Sequence, residues 1–197
     1  WPRRSIDKLR DDVRSRQSCV WSWIPNRLGS NDSLLSGPRV HRDDSKCINL
    51  THHFLIAMPG LSDELFGRSV VYLCEHNEEG AMGLVVNIPV DMSLDAMLTK
   101  LKLSPPATAE MKQPVLQGGP VHADRGFVLH SFRPGFNSTL QVSDEMMVTT
   151  SKDILETLGT AEAPDHWLVA LGYAGWSAGQ LEQELVDGSW LVIPPNP

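Results

Sequence analysis

The sequence predicts an α+β fold, in which a mixed or antiparallel sheet is flanked by helices. Short apolar segments rich in β-branched residues are interspersed with short segments of helical periodicity, and one β-hairpin stands out between Ser69 and Asn87. No Gly-x-Gly-x-x-Gly motif follows the first predicted strand, so a dinucleotide-binding parallel sheet has no positive support. With 197 residues, 41% of them hydrophobic, the chain can bury a core without disulfides or metal.

The hairpin is the clearest local feature. Ser69–His76 is β-branched and aromatic, Asn77–Gly80 has the composition of a turn, and Ala81–Asn87 is apolar again. Before the hairpin, the apolar run Phe54–Met58 predicts a buried strand, because it is closed by a Pro-Gly pair. Between these strands, Ser62–Phe66 predicts one helical turn.

The rest of the chain alternates helices with strands. Helices are predicted where apolar residues recur every three or four positions behind a serine, and strands where short apolar runs end at glycine or proline. The predicted helices are Ser93–Leu101, Lys152–Leu158 and Ser177–Val186. The predicted strands are Val115–Leu116, Gly126–His130, Leu140–Val142, Met146–Thr149, Trp167–Leu171 and Trp190–Ile193, with a bend at Gly172–Gly175.

Two regions of the chain differ in charge. Residues 1–47 contain 10 Lys/Arg and 6 Asp/Glu, which gives a net charge of +4. Residues 48–197 contain 7 Lys/Arg and 18 Asp/Glu, which gives a net charge of −11. Together they give the net charge of −7 for the whole chain. The basic leader lacks periodicity and an apolar signal-peptide core, and its six acidic residues are untypical of a transit peptide. We expect it to be a disordered segment of upstream or processed origin, with a nucleic-acid-binding arm as the alternative. We expect residues 48–197 to form a single domain.

The composition of the chain disfavours several classes of function. The acidic domain repels phosphate backbones, so direct nucleic-acid binding is disfavoured. No uninterrupted apolar run of transmembrane length occurs, and we expect no membrane partner. The three cysteines (Cys19, Cys47 and Cys74) form no Cys-x-x-Cys motif, so reduced thiols and a cytoplasmic location are expected, with neither metal nor cofactor.

The segment Cys74–Asn77 is the most reactive-looking cluster, since it ends a predicted strand beside a turn. Alternation along the strand places Cys74 and His76 on one face, about 7 Å apart. That distance is too long for the hydrogen bond between a nucleophile and its base. A cysteine packed as a small hydrophobe, with His76 and Asn77 bonded to the turn, is favoured over a catalytic pair.

Other polar groups are expected to have structural roles. The paired glycines of Gln117–Pro120 favour a tight turn over an anion-binding loop, because the Gly-Lys-Ser/Thr ending of a phosphate loop is absent. Arg125 and His130 lie at opposite ends of one predicted strand, about 15 Å apart, so one shared site is not expected. Tyr173–Trp176 is expected as a corner of the core, with a ligand-stacking surface as the alternative.

The predicted helix Ser177–Val186 has a polar surface. Gln180 and Glu184 are four residues apart and share a face, whereas Glu182 points elsewhere. A solvated surface accounts for all three side chains, so we expect them to face water.

Four blocks of this sequence resemble the AlgH/YqgE family of bacterial proteins, in order and with matching spacing. The blocks are Phe54–Asp91, Val115–Val121, Arg125–His130 and Ala170–Leu185. The resemblance extends from about Asn49 to Pro197, so the leader has no counterpart, and members usually continue past the position of Pro197. The resemblance implies an α+β fold whose strongly bent strands form a pseudo-barrel, in a bacterial cytoplasmic protein.

The resemblance also implies a regulatory function. Members are often described as transcriptional regulators or repressors of exopolysaccharide synthesis, although their biochemical activity is not settled and no catalytic residues carry over. The family's characteristic polar and glycine positions imply a candidate binding surface here. These positions are Glu75, His76, Asn77, Asn87, Gln117, Gly118, Gly119, Arg125, His130, Tyr173, Trp176 and Gln180.

The sequence leaves three functions open, and it favours one of them. A regulatory protein that binds a protein partner or a small ligand is favoured, because it fits the acidic domain and the missing catalytic motifs. The first alternative is an enzyme of unrecognised type that uses Cys74, His76 or His130. The second is a repressor that binds nucleic acid directly, which is disfavoured because no basic recognition helix is visible.

Overall fold

The computed structural model describes residues 48–61, 66–104 and 106–195, and strands dominate it. The strands in these residues are β1 (Phe54–Ala57), β2 (Val70–Asn77), β3 (Gly80–Val85), β4 (Pro89–Ser93), β5 (Pro114–Gln117), β6 (Val121–Ser131), β7 (Thr139–Gln141), β8 (Met146–Thr149), β9 (Trp167–Ser177) and β10 (Trp190–Ile193). The α-helices are α1 (Leu94–Lys100), α2 (Lys152–Thr157) and α3 (Gln180–Val186), with a 3₁₀ turn at Ala109–Lys112. None of these helices is long and apolar enough to cross a membrane.

One mixed sheet contains the described strands, in the order β10-β1-β2-β3-β9-β6-β8-β7. Strand β5 pairs antiparallel with β4 and parallel with β9. The 11-residue strand β9 holds the sheet together, because it pairs with β6 on one side and with both β5 and β3 on the other. The sheet is strongly curled, which confirms the predicted α+β class and its bent sheet.

Alternate residues of the strands enter different cores. In β2, Val71 and Leu73 pack toward α3, whereas Tyr72 and Cys74 pack inside the curl of the sheet. We call the first region the α3 core; it includes Leu50, Leu55, Val71, Leu73, Trp176, Leu181 and Trp190. The inner core includes Tyr72, Cys74, Leu84, Phe127, Leu129, Val148 and Tyr173. The α1–α2 core includes Leu94, Leu98, Met111, Val115, Val128, Ile154 and Val169.

Strand β9 passes through the bend that the sequence predicts at Gly172–Gly175, so the predicted strand end at Leu171 is wrong. Gly172 has φ +73, and the register of β6 against β9 shifts between Gly126 and Val121 at this point. A glycine tolerates this conformation, and the irregularity changes the phase of the side chains along the strand. Tyr173 therefore enters the inner core although Leu171, two residues earlier, packs against the α1–α2 core.

Most other predicted elements occur with shifted ends. The helix predicted at Ser177–Val186 begins at Gln180, and the strand predicted at Gly126–His130 extends back to Val121. Strand β4 was not predicted from the sequence. The predicted helical turn at Ser62–Phe66 and the predicted disorder of residues 1–47 fall largely or wholly outside the described residues.

Candidate functional site

A group of polar side chains surrounds the start of α3. The fold assembles it from three segments, because Gly80 of β3 pairs with both Asn77 of β2 and Ser177 of β9. Helix α3 begins three residues after Ser177 and covers the same end of the sheet. We call this group the α3 cluster; it comprises His76, Trp176, Gln180, Glu182, Glu184 and Trp190.

His76 links β2 to α3. Its side chain is buried, and the backbone N–H of Leu50 donates to its Nδ1 at 3.0 Å. Since Nδ1 accepts a hydrogen bond, the ring hydrogen lies on Nε2, which donates to Glu182 Oε1 at 2.9 Å. The Glu182 side chain is 51% exposed, so its carboxylate joins the buried imidazole to the solvent.

Glu184 is the acceptor for two buried indoles. The Nε1 atoms of Trp176 and Trp190 donate to its Oε2 at 2.9 and 2.8 Å, and the two rings meet edge to face. Its Oε1 accepts from Gln180 Nε2 at 2.9 Å. Gln180 Oε1 in turn accepts from both the N–H and the hydroxyl of Ser177, at 3.0 Å each. This carboxylate therefore fixes α3 to β9 and β10.

The solvated position predicted for Glu184 is wrong, because its half-buried carboxylate accepts from two buried indoles. Glu182 is exposed, although its carboxylate also accepts from buried His76. The shared face predicted for Gln180 and Glu184 is correct, as their hydrogen bond shows. A signal was present in the sequence. Trp176 and Trp190 flank the helix, and a buried indole N–H requires an acceptor.

The turn between β2 and β3 is exposed beside the α3 cluster. Asn77 Oδ1 accepts from the N–H of Glu79 at 2.8 Å, and Asn77 Nδ2 donates to Glu75 Oε1 at 3.0 Å. Gly80 has φ +137, and a Cβ there would lie 2.2 Å from Trp176 O, so the turn requires glycine. Asn77, Glu78 and Glu79 are all exposed. The turn is therefore exposed and acidic.

A second group of candidate residues surrounds a close crossing of two backbones. A Cβ on Gly118 would lie 2.2 Å from Gly172 O, and a Cβ on Gly119 would lie 2.1 Å from the carbonyl carbon of Tyr173. Gly118 N–H donates to Leu171 O at 2.8 Å, and Gly118 O accepts from Val85 N–H at 2.8 Å. The glycines therefore allow close packing within the chain rather than the predicted tight turn, and Gly118 N–H is already bonded within the sheet instead of facing an anion.

Three further candidates lie near this crossing. Asn87 bridges two backbone groups: its Oδ1 accepts from Val70 N–H at 2.8 Å and its Nδ2 donates to Arg68 O at 2.9 Å. Gln117 N–H donates to the carbonyl of Ile88, and Gln117 is half-buried. Arg125 is also half-buried, in the part of β6 where the pairing with β9 is irregular.

His130 lies apart from both groups, in a buried polar chain. Its Nδ1 donates to Ser131 O at 2.8 Å, and its Nε2 lies 2.9 Å from Thr149 Oγ1, which is 2.7 Å from Thr139 Oγ1. Its ring packs edge to face with Phe136, beside the α1–α2 core. Burial lowers the pKa of His130 below its usual 6.5, and the bond to Ser131 opposes this only in part. Sequence analysis did not identify the two threonines.

Cys74 and His76 point to opposite faces of the sheet, so the prediction that they share a face is wrong. Cys74 is 1% exposed in the inner core, whereas His76 bonds to Leu50 and α3 on the other face. The reason is a register shift between Leu73 and Glu75, which inserts one extra residue into β2. Burial raises the pKa of the Cys74 thiol far above its usual value, and the nearby Glu75 carboxylate raises it further.

The sequence suggested that, if the chain is an enzyme, it would use Cys74, His76 or His130. The structure places these three side chains apart from one another. Cys74 lies in the inner core, His76 beside the α3 core and His130 beside the α1–α2 core. No group of three His, Cys, Asp or Glu side chains in the described ranges is placed to hold a metal ion.

The acidic turn and the glycine crossing lie at opposite ends of β3. Gly80 begins that strand beside Asn77, and Val85 ends it bonded to Gly118. Five residue steps along a strand span about 16 Å. Apart from His130 and Tyr173, the candidate residues therefore form two separate groups. Of these, the α3 cluster with its adjacent turn combines exposed carboxylates with hydrogen-bonded polar side chains.

Sequence comparison finds similar proteins across most of the region 48–197. A family model described as AlgH-like matches residues 54–197. A UPF0301 protein of Serratia proteamaculans is 58% identical over 150 residues, which cover 74% of this chain and 80% of the relative. One from Vibrio atlanticus is 52% identical over 154 residues, which cover 76% of this chain and 82% of the relative.

Two solved structures have the same fold. The solution structure of the AlgH protein from Pseudomonas aeruginosa is 46% identical, with a TM-score of 0.66, over 79% of this chain and 82% of that chain. The crystal structure of a protein from Corynebacterium diphtheriae is 21% identical, with a TM-score of 0.57, over 75% of this chain and 77% of that chain. The second likeness concerns the fold alone.

Proposed function

This chain belongs to the AlgH-like family, and we propose that it is a bacterial regulatory protein that acts by binding a protein partner. The candidate binding surface is the turn between β2 and β3 together with the exposed side of α3. In this proposal residues 48–197 act as one domain in the cytoplasm, where the reduced thiol of Cys74 is stable.

The negative charge of this surface is the main support for the proposal. Glu78 and Glu79 in the turn and Glu182 on α3 are exposed carboxylates. The sequence from Val70 to Val85 contains no lysine or arginine, and neither does the sequence from Trp167 to Pro197. A surface of one sign attracts partners of the opposite charge and speeds their encounter. A basic patch on a protein fits such a surface.

Direct nucleic-acid binding is disfavoured by the same charge, since phosphates would be repelled. Regulation of transcription, which the family resemblance implies, would therefore act through a protein rather than through DNA contact. A protein partner is favoured over a small ligand because the exposed carboxylates are spread over a turn and a helix. Hydrogen bonds hold the Glu182 carboxylate and the backbone of the turn, and these bonds do not converge on one point.

The test reverses the charge of the turn. We expect the double variant Glu78→Lys/Glu79→Lys to bind cellular partners at least about tenfold less, because both side chains are exposed and close charge pairs matter across interfaces. The matched control is Asp144→Lys/Glu145→Lys, which changes net charge equally at another exposed position. Each tagged variant is expressed in a bacterial strain that lacks its own family member, and nuclease-treated complexes and transcript levels are measured.

Selective loss of both the complex and the transcript response in the turn variant would support the proposal. Equal behaviour of the two variants would exclude this surface. A complex that disappears on nuclease treatment, with a matching gel shift on DNA, would instead favour the nucleic-acid alternative.

A further inference from the structure

We propose that protonation of His76 regulates the acidic surface formed by Glu78, Glu79 and Glu182, so that a basic partner binds in neutral solution and is released in weakly acidic solution. The inference rests on the proposed function and names a regulation of the same surface. It follows from the hydrogen bonds at the two ring nitrogens of His76, from the exposure of Glu182, and from the charges around them.

The imidazole of His76 has a different partner at each nitrogen. Leu50 N–H donates to Nδ1 at 3.0 Å, and Nε2 donates to Glu182 Oε1 at 2.9 Å. The neutral ring satisfies both bonds, because it has one acceptor and one donor nitrogen. The protonated ring has two donors, so its new hydrogen on Nδ1 opposes the N–H of Leu50. Protonation therefore breaks the bond to Leu50 and turns the bond to Glu182 into an ion pair.

Glu182 is the titratable side chain bonded to this ring in the part of the chain that the structure describes. Strand β3 contributes the uncharged Ala81, which pairs with His76. The other titratable side chains on the elements around the ring are bonded elsewhere. They are Glu184 on α3, bonded to two indoles, Glu75 on β2, bonded to Asn77, and His52 and His53 before β1, bonded to the Tyr72 hydroxyl and the Thr51 carbonyl. An imidazolium at His76 therefore offsets the charge of Glu182 directly.

This charge lies where a partner would meet it. The Glu182 side chain is 51% exposed, Glu78 and Glu79 are exposed in the adjacent turn, and the sequences of β2, β3 and α3 contain no lysine or arginine. With a neutral His76, the three carboxylates together attract a basic partner. Histidine is the side chain that ordinarily changes its charge between about pH 5 and pH 8. The surface therefore loses negative charge within that range.

Binding and protonation must oppose each other by the same factor, because the coupling between two binding events is reciprocal. If protonation of His76 weakens the binding of a basic partner about threefold, the bound partner must weaken the binding of the proton about threefold. The titration of His76 then moves to lower pH by about 0.5 unit when the partner is bound. A histidine that only holds α3 in place would not respond to a partner in this way.

The test uses the full chain with its histidines labelled with ¹⁵N, and the synthetic peptide GKKKKKKG as the basic partner. NMR follows the ring nitrogens from about pH 7.5 to about pH 5.5, the range in which histidine gains its charge. We expect Nδ1 of His76 to change from an acceptor to a protonated donor, with the amide signal of Leu50 shifting in parallel. We expect peptide affinity to fall at least about threefold over this range, and the titration to move by about 0.5 unit when the peptide is bound.

Three variants separate this charge change from others. His76→Gln keeps an N–H donor for Glu182 and takes up no proton, so we expect affinity within about twofold of the wild type at neutral pH and little change on acidification. Glu182→Gln removes the charge itself, so affinity should already be about threefold weaker at neutral pH. His166→Gln replaces an exposed histidine before β9 and should keep the wild-type pH dependence. Circular dichroism at both pH values verifies the fold of each variant.

The proposal is overturned if Nδ1 of His76 stays unprotonated over the whole range, or if its titration is the same with and without bound peptide. Both measurements use the wild-type chain, so they decide the matter even where a variant does not fold. A folded His76→Gln variant that keeps the full pH dependence also overturns it. Peptide binding that is lost in Glu78→Lys/Glu79→Lys but is indifferent to His76 would remove this regulation and leave the proposed surface intact. Binding that is also unchanged in Glu78→Lys/Glu79→Lys would exclude the surface itself.

Discussion

Replacing Glu184 with alanine tests whether one carboxylate holds α3 on the sheet. The change removes the acceptor of two indole N–H groups, whose bonds are 2.9 and 2.8 Å long. Trp176 and Trp190 are buried, so their donors are left poorly solvated. Two fully buried hydrogen bonds to a charged group contribute about 3–6 kcal/mol. Glu184 itself is half-buried, so water can replace part of the hydrogen bonding that the variant loses. We therefore expect the free energy of unfolding to fall by about 2–3 kcal/mol.

The assay is urea unfolding followed by tryptophan fluorescence, in which Trp176 and Trp190 report on the site directly. A loss of this size lowers the midpoint by about 1–1.5 M, given a slope near 2 kcal/mol/M. Glu184→Gln keeps one acceptor oxygen, so we expect roughly half of the effect. The control is Gln183→Ala on the same helix, whose exposed side chain bonds only to Asp187 in the described structure. If Glu184→Ala destabilises no more than Gln183→Ala, the carboxylate does not anchor the helix.

Two further changes test the packing and the buried polar chain. Gly118→Ala would place its Cβ 2.2 Å from Gly172 O, so we expect a loss of about 3 kcal/mol or more. Gly188→Ala, with φ +72 and no atom within 4 Å, should cost only about 1 kcal/mol in the same urea titration, and similar losses at both positions would contradict the crossing. The folded pKa of His130 lies below 6.5, so its contribution to stability is present above pH 6.5 and lost as the pH falls through the folded pKa. His130→Gln should reduce the acid sensitivity of the urea midpoint, and an unchanged pH dependence would contradict this assignment.

The local elements and the family were predictable from the sequence. The hairpin, the helix after Ser93 and the strand Trp190–Ile193 were predictable, because hydrophobic periodicity and turn residues are local properties. The class of fold followed from their order. The sequence favoured a structural role for Gly118 and Gly119 over an anion-binding loop, although it indicated a tight turn rather than the crossing of two backbones.

The side chains that meet in the folded chain could not be predicted from the local sequence. Sequence alternation put Cys74 and His76 on one face, but an extra residue in β2 reverses that relation, and such irregularities have no signal in a two-residue period. Glu184 became an anchor because β9 and β10 bring their tryptophans to one helix. Register and strand order arise from contacts between distant segments, so the site depends on them although each strand forms locally.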